Sequence, residues 1–431
     1  MTRENNGIMI QLLINKLFFF LIIFSLIFVI ILYNLIGFQY TDEICAVLLF
    51  MLFFYGVFKT PKWQFNKVFL FTLGIFLFYT IYSMQIASNT KRAIVTDLII
   101  QIKPYLAFFC VYQLKPYFNA SRKKLLKDIS LFVWLIFLLP VGIISIVYDN
   151  IMTLTMYHPA YFGIATTIVS LCYLYSCDYK IRDKVLFFIV LSIGLFSGKS
   201  KFYGFFVLSI FLLFFFDNIR QFKFNFKNIL LICSLFATMI LVAWQKISLY
   251  FYQAISINAK VDEDMIARFV LYRTFPEIIK EYFPFGSGFA SFATYSSAEY
   301  YSKTYSEFGI ENVWGLSKSY PNFISDTYYP ALAQFGIFGV ILFVLFWVYI
   351  IRKAITLYKK GDYTQSKHFV IILLIIGFLA IESTTGSTFI AQGGFFLMMI
   401  LGMVLSDMQK ECVERLNFQQ SNPLCQTDLQ I

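Results

Sequence analysis

Twelve apolar runs of about 15 to 22 residues follow one another along this chain and constrain its fold more than any other feature. A bilayer's hydrocarbon core takes ~20 mostly apolar residues per helix to cross. Backbone groups left unpaired in lipid cost too much for irregular chain to span it. The runs cover residues 17–38, 43–58, 68–87, 93–114, 129–148, 160–177, 184–198, 202–216, 229–245, 331–351, 369–385 and 388–407. The composition agrees, because 59% hydrophobic and 14% charged residues fall outside the range of roughly 45–50% apolar and about 25% charged typical of soluble domains. The expected fold class is an all-α polytopic membrane protein with about twelve transmembrane helices. The first run is expected to be a span, since it far exceeds the ~7–15 apolar residues of a cleaved leader and no small-residue cleavage site follows it.

Lys and Arg stay on the cytoplasmic side of short loops. With the N-terminus inside, 23 of the 35 basic residues fall in cytoplasmic segments and 11 in outer ones, seven of these in a single loop. Both termini are therefore expected in the cytoplasm. The net charge of +11 reports topology, and no nucleic-acid partner is implied. Spans one to nine occupy 1–245, a large outer loop 246–330, spans ten to twelve 331–407, and a polar cytoplasmic tail 408–431. A loop of about 85 residues is too long for a simple connector and suggests function. Seven cysteines, none in the long loop, offer no disulfide framework or CxxC metal site. The two halves show no internal repeat, which weakens a transporter built on repeats.

Within the long loop, DEDMIARFVLYRTFPEIIKEY reads as an amphipathic helix from Asp262 to Tyr282, with an expected kink at Pro276. It leads into FPFGSGFASF. Arg268, Tyr272, Arg273, Pro284, Gly286, Gly288 and Phe292 fall in the spacing R-x3-[WY]-R…P-x-G-x-G-x3-F. In SDTYYPALAQFGIFG, at the loop's far end, Tyr328, Leu332, Ala333, Gly336 and Gly339 match a second pattern, H-N-x-Y-L-x-x-L-A-E-x-G-x-x-G, with Ser325 and Asp326 at the His-Asn positions. SGKSK, between two short spans, matches a Ser-Arg pair with Lys201 at the Arg position. Over about Gly198 to Ile351 the chain thus resembles the O-antigen polymerase and O-antigen ligase superfamily. The six N-terminal spans are similar to it in hydropathy alone. Ligases of that superfamily are described with a His where Ser325 stands, so the resemblance leans toward a polymerase.

The resemblance implies a multi-pass enzyme of the bacterial inner membrane. It would transfer a growing glycan from one undecaprenyl-pyrophosphate carrier to the non-reducing end of another lipid-linked repeat unit on the periplasmic face. Donor and acceptor are lipid-linked oligosaccharides, no cofactor is implied, and whether a chain-length regulator binds stays open. A lipid pyrophosphate leaving group needs fixed cations on its developing charge, which Arg supplies bidentately and Lys as a point charge.

Arg268 is the preferred pyrophosphate ligand, the alternative being a surface ion pair with Asp264 one turn earlier. Arg273 lies roughly 140° further around the helix and cannot share the same phosphate. Lys199 and Lys201 break the charge rule on the outer side, either as a phosphate site or as a hairpin tip snorkelling to headgroups. Lys103 lies near the middle of span four, where a charge costs ~2.5–3.5 kcal/mol on insertion scales; the alternative has Pro104 ending the helix so that the ammonium reaches the inner surface. Asp326 can take the acceptor's proton or cap span ten, and Ser325 can cap equally well. His158 either lines the cleft or sits at the interface. Glu382 offers a second carboxylate or a solvated rim residue, and Tyr272 and the other loop tyrosines either offer rings and hydroxyls to sugars or form an interfacial aromatic belt. With two histidines in the chain, metal sites have little material. The competing functions are an O-antigen ligase and a lipid-linked oligosaccharide flippase. The long loop argues against the flippase, whose kind has short outer loops.

Overall fold

The computed structural model describes residues 2–33, 41–60, 63–148, 150–215, 263–360 and 364–421, and the expected ninth span at 229–245 lies outside them. All regular structure among the described residues is helical, with no strand. In chain order α1 (Thr2–Phe24) continues as a π-helical stretch to Ile31, followed by α2 (Thr41–Lys59), α3 (Lys67–Gln85) and α4 (Lys91–Leu114). Next come α5 (Ala120–Val133), which runs through a π-turn into α6 (Leu139–Ile144), then α7 (Ile151–Met156), α8 (Pro159–Ser176) and α9 (Ile181–Ser192) with a 3-10 turn to Ser197. α10 (Ser200–Phe215) precedes the loop helix α11 (Glu263–Glu281) and two single-turn helices, α12 (Tyr295–Glu299) and α13 (Thr304–Glu307). α14 (Tyr328–Ala331) and a 3-10 turn to Phe335 lead into α15 (Gly336–Lys360), α16 (Thr364–Glu382) and α17 (Gln392–Ser421). Six helical stretches among the described residues are long and apolar enough to cross a membrane, including Lys91–Leu114 and Tyr328–Lys360. This is a multi-pass membrane protein.

α4, α8 and α17 form the centre of the bundle. α8 is buried from Phe162 to Tyr175. At Gly402 a Cβ would lie 2.6 Å from the Phe108 carbonyl oxygen, so α17 meets the backbone of α4 through a small residue. α3 and α15 sit at the rim, exposing Leu70, Phe71, Leu77 and Phe78 on one and Ile341, Val344, Leu345 and Val348 on the other, the apolar outer surface that lipid requires. Pro104 does not end α4, which continues ten residues beyond it, and α11 likewise runs through Pro276.

From α11 onward the long loop is a folded cap with its own core, built around Ala267, Leu271, Ile278, Phe292, Tyr305, Leu316 and Ile324. The PFGSGFA turn pins this cap to the bundle. Tyr82 and Ser88 donate to the carbonyls of Gly286 (2.9 Å) and Phe289 (2.8 Å). Asp97, buried on α4, accepts from the Ala290 N–H at 2.8 Å, and the Gly288 N–H donates to the Gln334 carbonyl at 2.8 Å. Gly286 lies so close to Gly336 that a Cβ on the first would come 2.2 Å from the backbone nitrogen of the second. The glycines of the two sequence patterns are therefore two sides of one backbone contact.

Candidate functional site

The end of the bundle that carries the cap gathers residues from five separate segments around the turn that joins α16 to α17. α16 ends at Glu382, which is buried at 3% exposure. Lys201, in the first turn of α10, reaches its carboxylate at 2.5 Å and donates to the Thr385 carbonyl at 3.4 Å. Thr388 donates to the same carboxylate at 3.3 Å. From the cap, the Tyr272 hydroxyl donates to the Thr384 carbonyl at 2.7 Å, while the Ser387 hydroxyl donates to the carbonyl of Ser325. Arg268 reaches from α11 to Asp326, Nη2 to Oδ2 at 2.6 Å. Its Nε is buried and has no hydrogen-bond partner among the described residues.

His158 caps the opposite lip. Its Nδ1 accepts from the Ala160 N–H at 3.1 Å, and Pro159 opens α8 behind it. Its Nε2 stands 3.4 Å from the Lys199 ammonium. His158 is solvent-exposed on one side, but partial desolvation at the mouth, then the charges of Lys199, Lys201 and Arg268, push the imidazole from its ordinary value of 6.5 down to about 4. The ring is therefore neutral near pH 7. Among the described residues, Lys199, Lys201, Arg268, Glu382 and Asp326 thus share one mouth with a neutral imidazole.

Several sequence expectations are corrected by this geometry. Asp326 caps no helix: α14 starts at Tyr328, its N-cap is Thr327, and no side chain caps it. Ser325 does not cap either, and its backbone carbonyl takes the Ser387 hydroxyl. Asp326 instead faces the partly buried Arg268 guanidinium, to which it supplies a counter-charge. Glu382 is no solvated rim residue, since the following turn folds over it. Lys201 points inward to Glu382 instead of snorkelling outward. The pairing of Arg268 with Asp264 lies outside the described side chains. Arg273 is exposed and holds no ion pair among the described residues, so it stands apart from the site.

Lys103 also stands apart, midway along α4, where its ammonium pairs with Asp42 and, at 3.0 Å, with Glu43 at the start of α2. It is a buried charge balanced by two acids, consistent with the cost of an intramembrane cation. His368 lies at the far end of the bundle, 3.6 Å from Glu411. The carbonyls of Thr384 and Thr385 carried no signal in side-chain chemistry. Asp97 did carry one, as an ionisable residue inside an apolar run. No family model matches this chain, and no curated protein matches it.

Proposed function

We propose that this protein polymerises lipid-linked glycan repeat units on the outer face of a bacterial inner membrane, with about twelve spans and both termini inside. One observation carries the reading: two cation–carboxylate pairs, Arg268–Asp326 and Lys201–Glu382, stand at one mouth at the cap-bearing end of the bundle. A carrier pyrophosphate, with more charge and more acceptor oxygens than one carboxylate, offers Arg268 a bidentate partner. On binding it takes over the guanidinium and releases Asp326 as a base.

The acceptor hydroxyl oxygen then attacks the donor's anomeric carbon, the bond from that carbon to the pyrophosphate oxygen breaks, and the electron pair leaves on the carrier. Arg268 and Lys201 hold the charge that develops there. The acceptor's proton passes to Asp326. Proton release is thereby tied to occupancy of the leaving-group site. The cap and the inward-facing acids also suit a transferase better than a flippase, which needs a through-going cavity.

The test is in vitro polymerisation of purified lipid-linked repeat units by Arg268→Lys and Arg273→Lys, normalised to membrane abundance. Arg268→Lys keeps the charge but loses the fork, so chain growth falls by at least about tenfold, as the loss of a charge-assisted hydrogen bond worth ~1.5–3 kcal/mol implies. Arg273→Lys stays near wild type. Full polymerisation by Arg268→Lys moves the pyrophosphate elsewhere. Cells lacking the gene should make core lipopolysaccharide bearing one repeat unit, whereas core alone would indicate a flippase or ligase.

A further inference from the structure

A short loop of the cap, Trp314 to Phe323, presents aromatic rings to solvent that the charged mouth does not account for. Leu316 and Ile324, both fully buried, anchor it to the cap's own core. The Phe323 N–H donates to the Gly315 carbonyl at 3.0 Å, the Tyr320 N–H to the Ser317 carbonyl at 3.1 Å, and the Tyr301 hydroxyl to the Leu316 carbonyl at 2.9 Å. Gly315 has φ +82°, and a Cβ there would lie 2.1 Å from Phe323 Cδ2, so the Phe323 ring closes against bare backbone. On this tied loop the rings stack on one another. The Trp314 centroid is 4.8 Å from that of Tyr320 and 5.2 Å from that of Phe323, at interplanar angles of 34° and 41°. Even so, Trp314 stays 44% exposed and Tyr320 37%.

Exposed aromatic area held in this way marks a contact surface, and its surroundings select the partner. The exposed neighbours along the loop are Glu311, Asn312, Lys318, Ser319 and Asn322, polar and with one charge of each sign. Hydrocarbon does not suit that rim, and neither does a polyanion. A neutral sugar does, because a pyranose offers an apolar C–H face to the negative face of an aromatic ring and hydroxyls to the polar groups around it. Trp and Tyr supply rigid contact area at low entropic cost, with an indole N–H and a phenolic hydroxyl at the ring edges. The loop also ends at the mouth: the Asp326 N–H donates to the Phe323 carbonyl at 3.3 Å, a turn that keeps the two Cα atoms within ~7 Å. We infer that Trp314 and Tyr320, backed by Phe323, form a glycan subsite that stacks on a pyranose ring of the acceptor repeat unit and holds that unit beside Asp326. This rests on the proposed function, in which the acceptor's proton passes to Asp326. It adds a division of labour. The cations at the mouth meet a pyrophosphate that every lipid-linked unit shares, so selection of the acceptor's sugars falls to an uncharged surface of this kind.

The probe is the repeat-unit oligosaccharide freed by mild acid from the host's own lipid-linked units, added to the full-length protein in lipid nanodiscs. The chain has five tryptophans, so the fluorescence difference between wild type and Trp314→Phe isolates the Trp314 signal. The oligosaccharide should shift that signal, and brominated phospholipid in the nanodisc should leave it unquenched. Trp314→Ala and Tyr320→Ala should each weaken oligosaccharide binding, read by calorimetry, about tenfold, the usual effect of truncating one aromatic anchor. Trp314→Phe, which keeps a ring, should retain part of the affinity. Thermal midpoints should stay at the wild-type value, because both rings lie outside the buried core. In polymerisation of lipid-linked repeat units, Trp314→Ala should raise KM about tenfold and leave kcat near wild type.

Quenching of the Trp314 signal by brominated lipid would make these rings an interfacial belt and overturn the inference. So would oligosaccharide affinity unaltered in Trp314→Ala and Tyr320→Ala, or no oligosaccharide binding by the wild type. If Arg268→Lys stops chain growth while Trp314→Ala keeps the wild-type KM, the inference fails and the proposed function stands. If the oligosaccharide binds through Trp314 but lipid-linked units are not polymerised, the sugar contact stands and the proposed reaction falls.

Discussion

Replacing Gly286 with Ala tests whether the two motif glycines hold the cap on the bundle. Gly286 has φ +80°, a conformation that costs an L-residue roughly 1–2 kcal/mol. An added Cβ would also lie 2.2 Å from the Gly336 nitrogen, 2.4 Å from the Ala333 oxygen and 2.7 Å from the Gln334 carbonyl carbon. All three are backbone atoms that cannot rotate away, so the turn and the start of α15 must part. Overpacking of this kind costs about 1–3 kcal/mol, and the two effects together come to about 2–5 kcal/mol. Gly198→Ala is the control, since φ is +65° there but nothing lies within 4 Å of the new methyl, leaving only the conformational ~1–2 kcal/mol. Hydrogen exchange at the amides of Gly288 and Ala290, which donate to the Gln334 carbonyl and the Asp97 carboxylate, reads the docking directly. Thermal unfolding in detergent reads the whole. Gly286→Ala should lose protection at both amides and melt below Gly198→Ala. Equal melting with both amides still protected would refute the backbone contact as the cap's anchor.

Lys103→Met leaves Asp42 and Glu43 without their counter-ion and should cost about 3–5 kcal/mol, with part regained in Lys103→Met/Asp42→Asn, read as folded yield on size exclusion. Lys201→Met should destabilise for the same reason. Lys201→Met/Glu382→Gln should regain the thermal midpoint but not polymerisation, and regained polymerisation would make Lys201 a structural partner only. The folded-state value of His158, about 4, lies below its ordinary 6.5, so the unfolded chain binds its proton more tightly. Its contribution to stability is full above pH ~6.5 and is lost as the pH falls toward 4. Thermal midpoints from pH 7 to 4 should fall more steeply for the wild type than for His158→Gln, and parallel curves would show that the ring is not held neutral.

Hydropathy located the described helices because burial in an apolar surrounding acts on each run separately, and a run of about 20 apolar residues has few alternatives. Site residues answer to partners far along the chain, and the local reading went astray there. Asp326 offered a cap as one of two readings, because capping is a rule of the next three residues, yet it pairs with Arg268, 58 positions away. Glu382, at the end of a run, offered either a second carboxylate or a solvated rim residue. The residues that bury it, Ser383 to Thr388, are polar and short-sided, and carry no hydropathy signal for folding back. For Lys103, a functional candidate as an intramembrane charge, the neighbouring Pro104 offered an early helix end as the alternative. The proline nevertheless stays inside α4, which runs ten residues beyond it and packs against α17. Asp42 and Glu43 read as ordinary first-turn acids of α2, and only the tertiary fold shows that they balance Lys103.

The pairing of the mouth's charges bears on how such a site can exist at all. Arg268 and Lys201 are mostly buried, with side-chain exposures of 23% and 14%, and a cation so placed costs several kcal/mol unless it is matched. Evolved pairing with Asp326 and Glu382 removes that cost in the empty protein, but it also lowers the net gain when a phosphate arrives, because any carboxylate that is displaced gives up its own pair. The exchange is favourable for Arg268, whose planar fork can bond two phosphate oxygens, and whose Nε has no partner in the resting pair. It is less favourable for Lys201, a point charge held by a carboxylate only 4% exposed. Glu382 therefore stays on Lys201 as the substrate binds, which keeps it from the chemistry, and Asp326 is the carboxylate set free. Asp326→Asn should accordingly abolish chain growth while leaving pyrophosphate affinity equal or tighter, because Arg268 no longer has a competitor. Weaker pyrophosphate binding in Asp326→Asn would mean that the carboxylate orients Arg268 for the ligand and is not displaced by it.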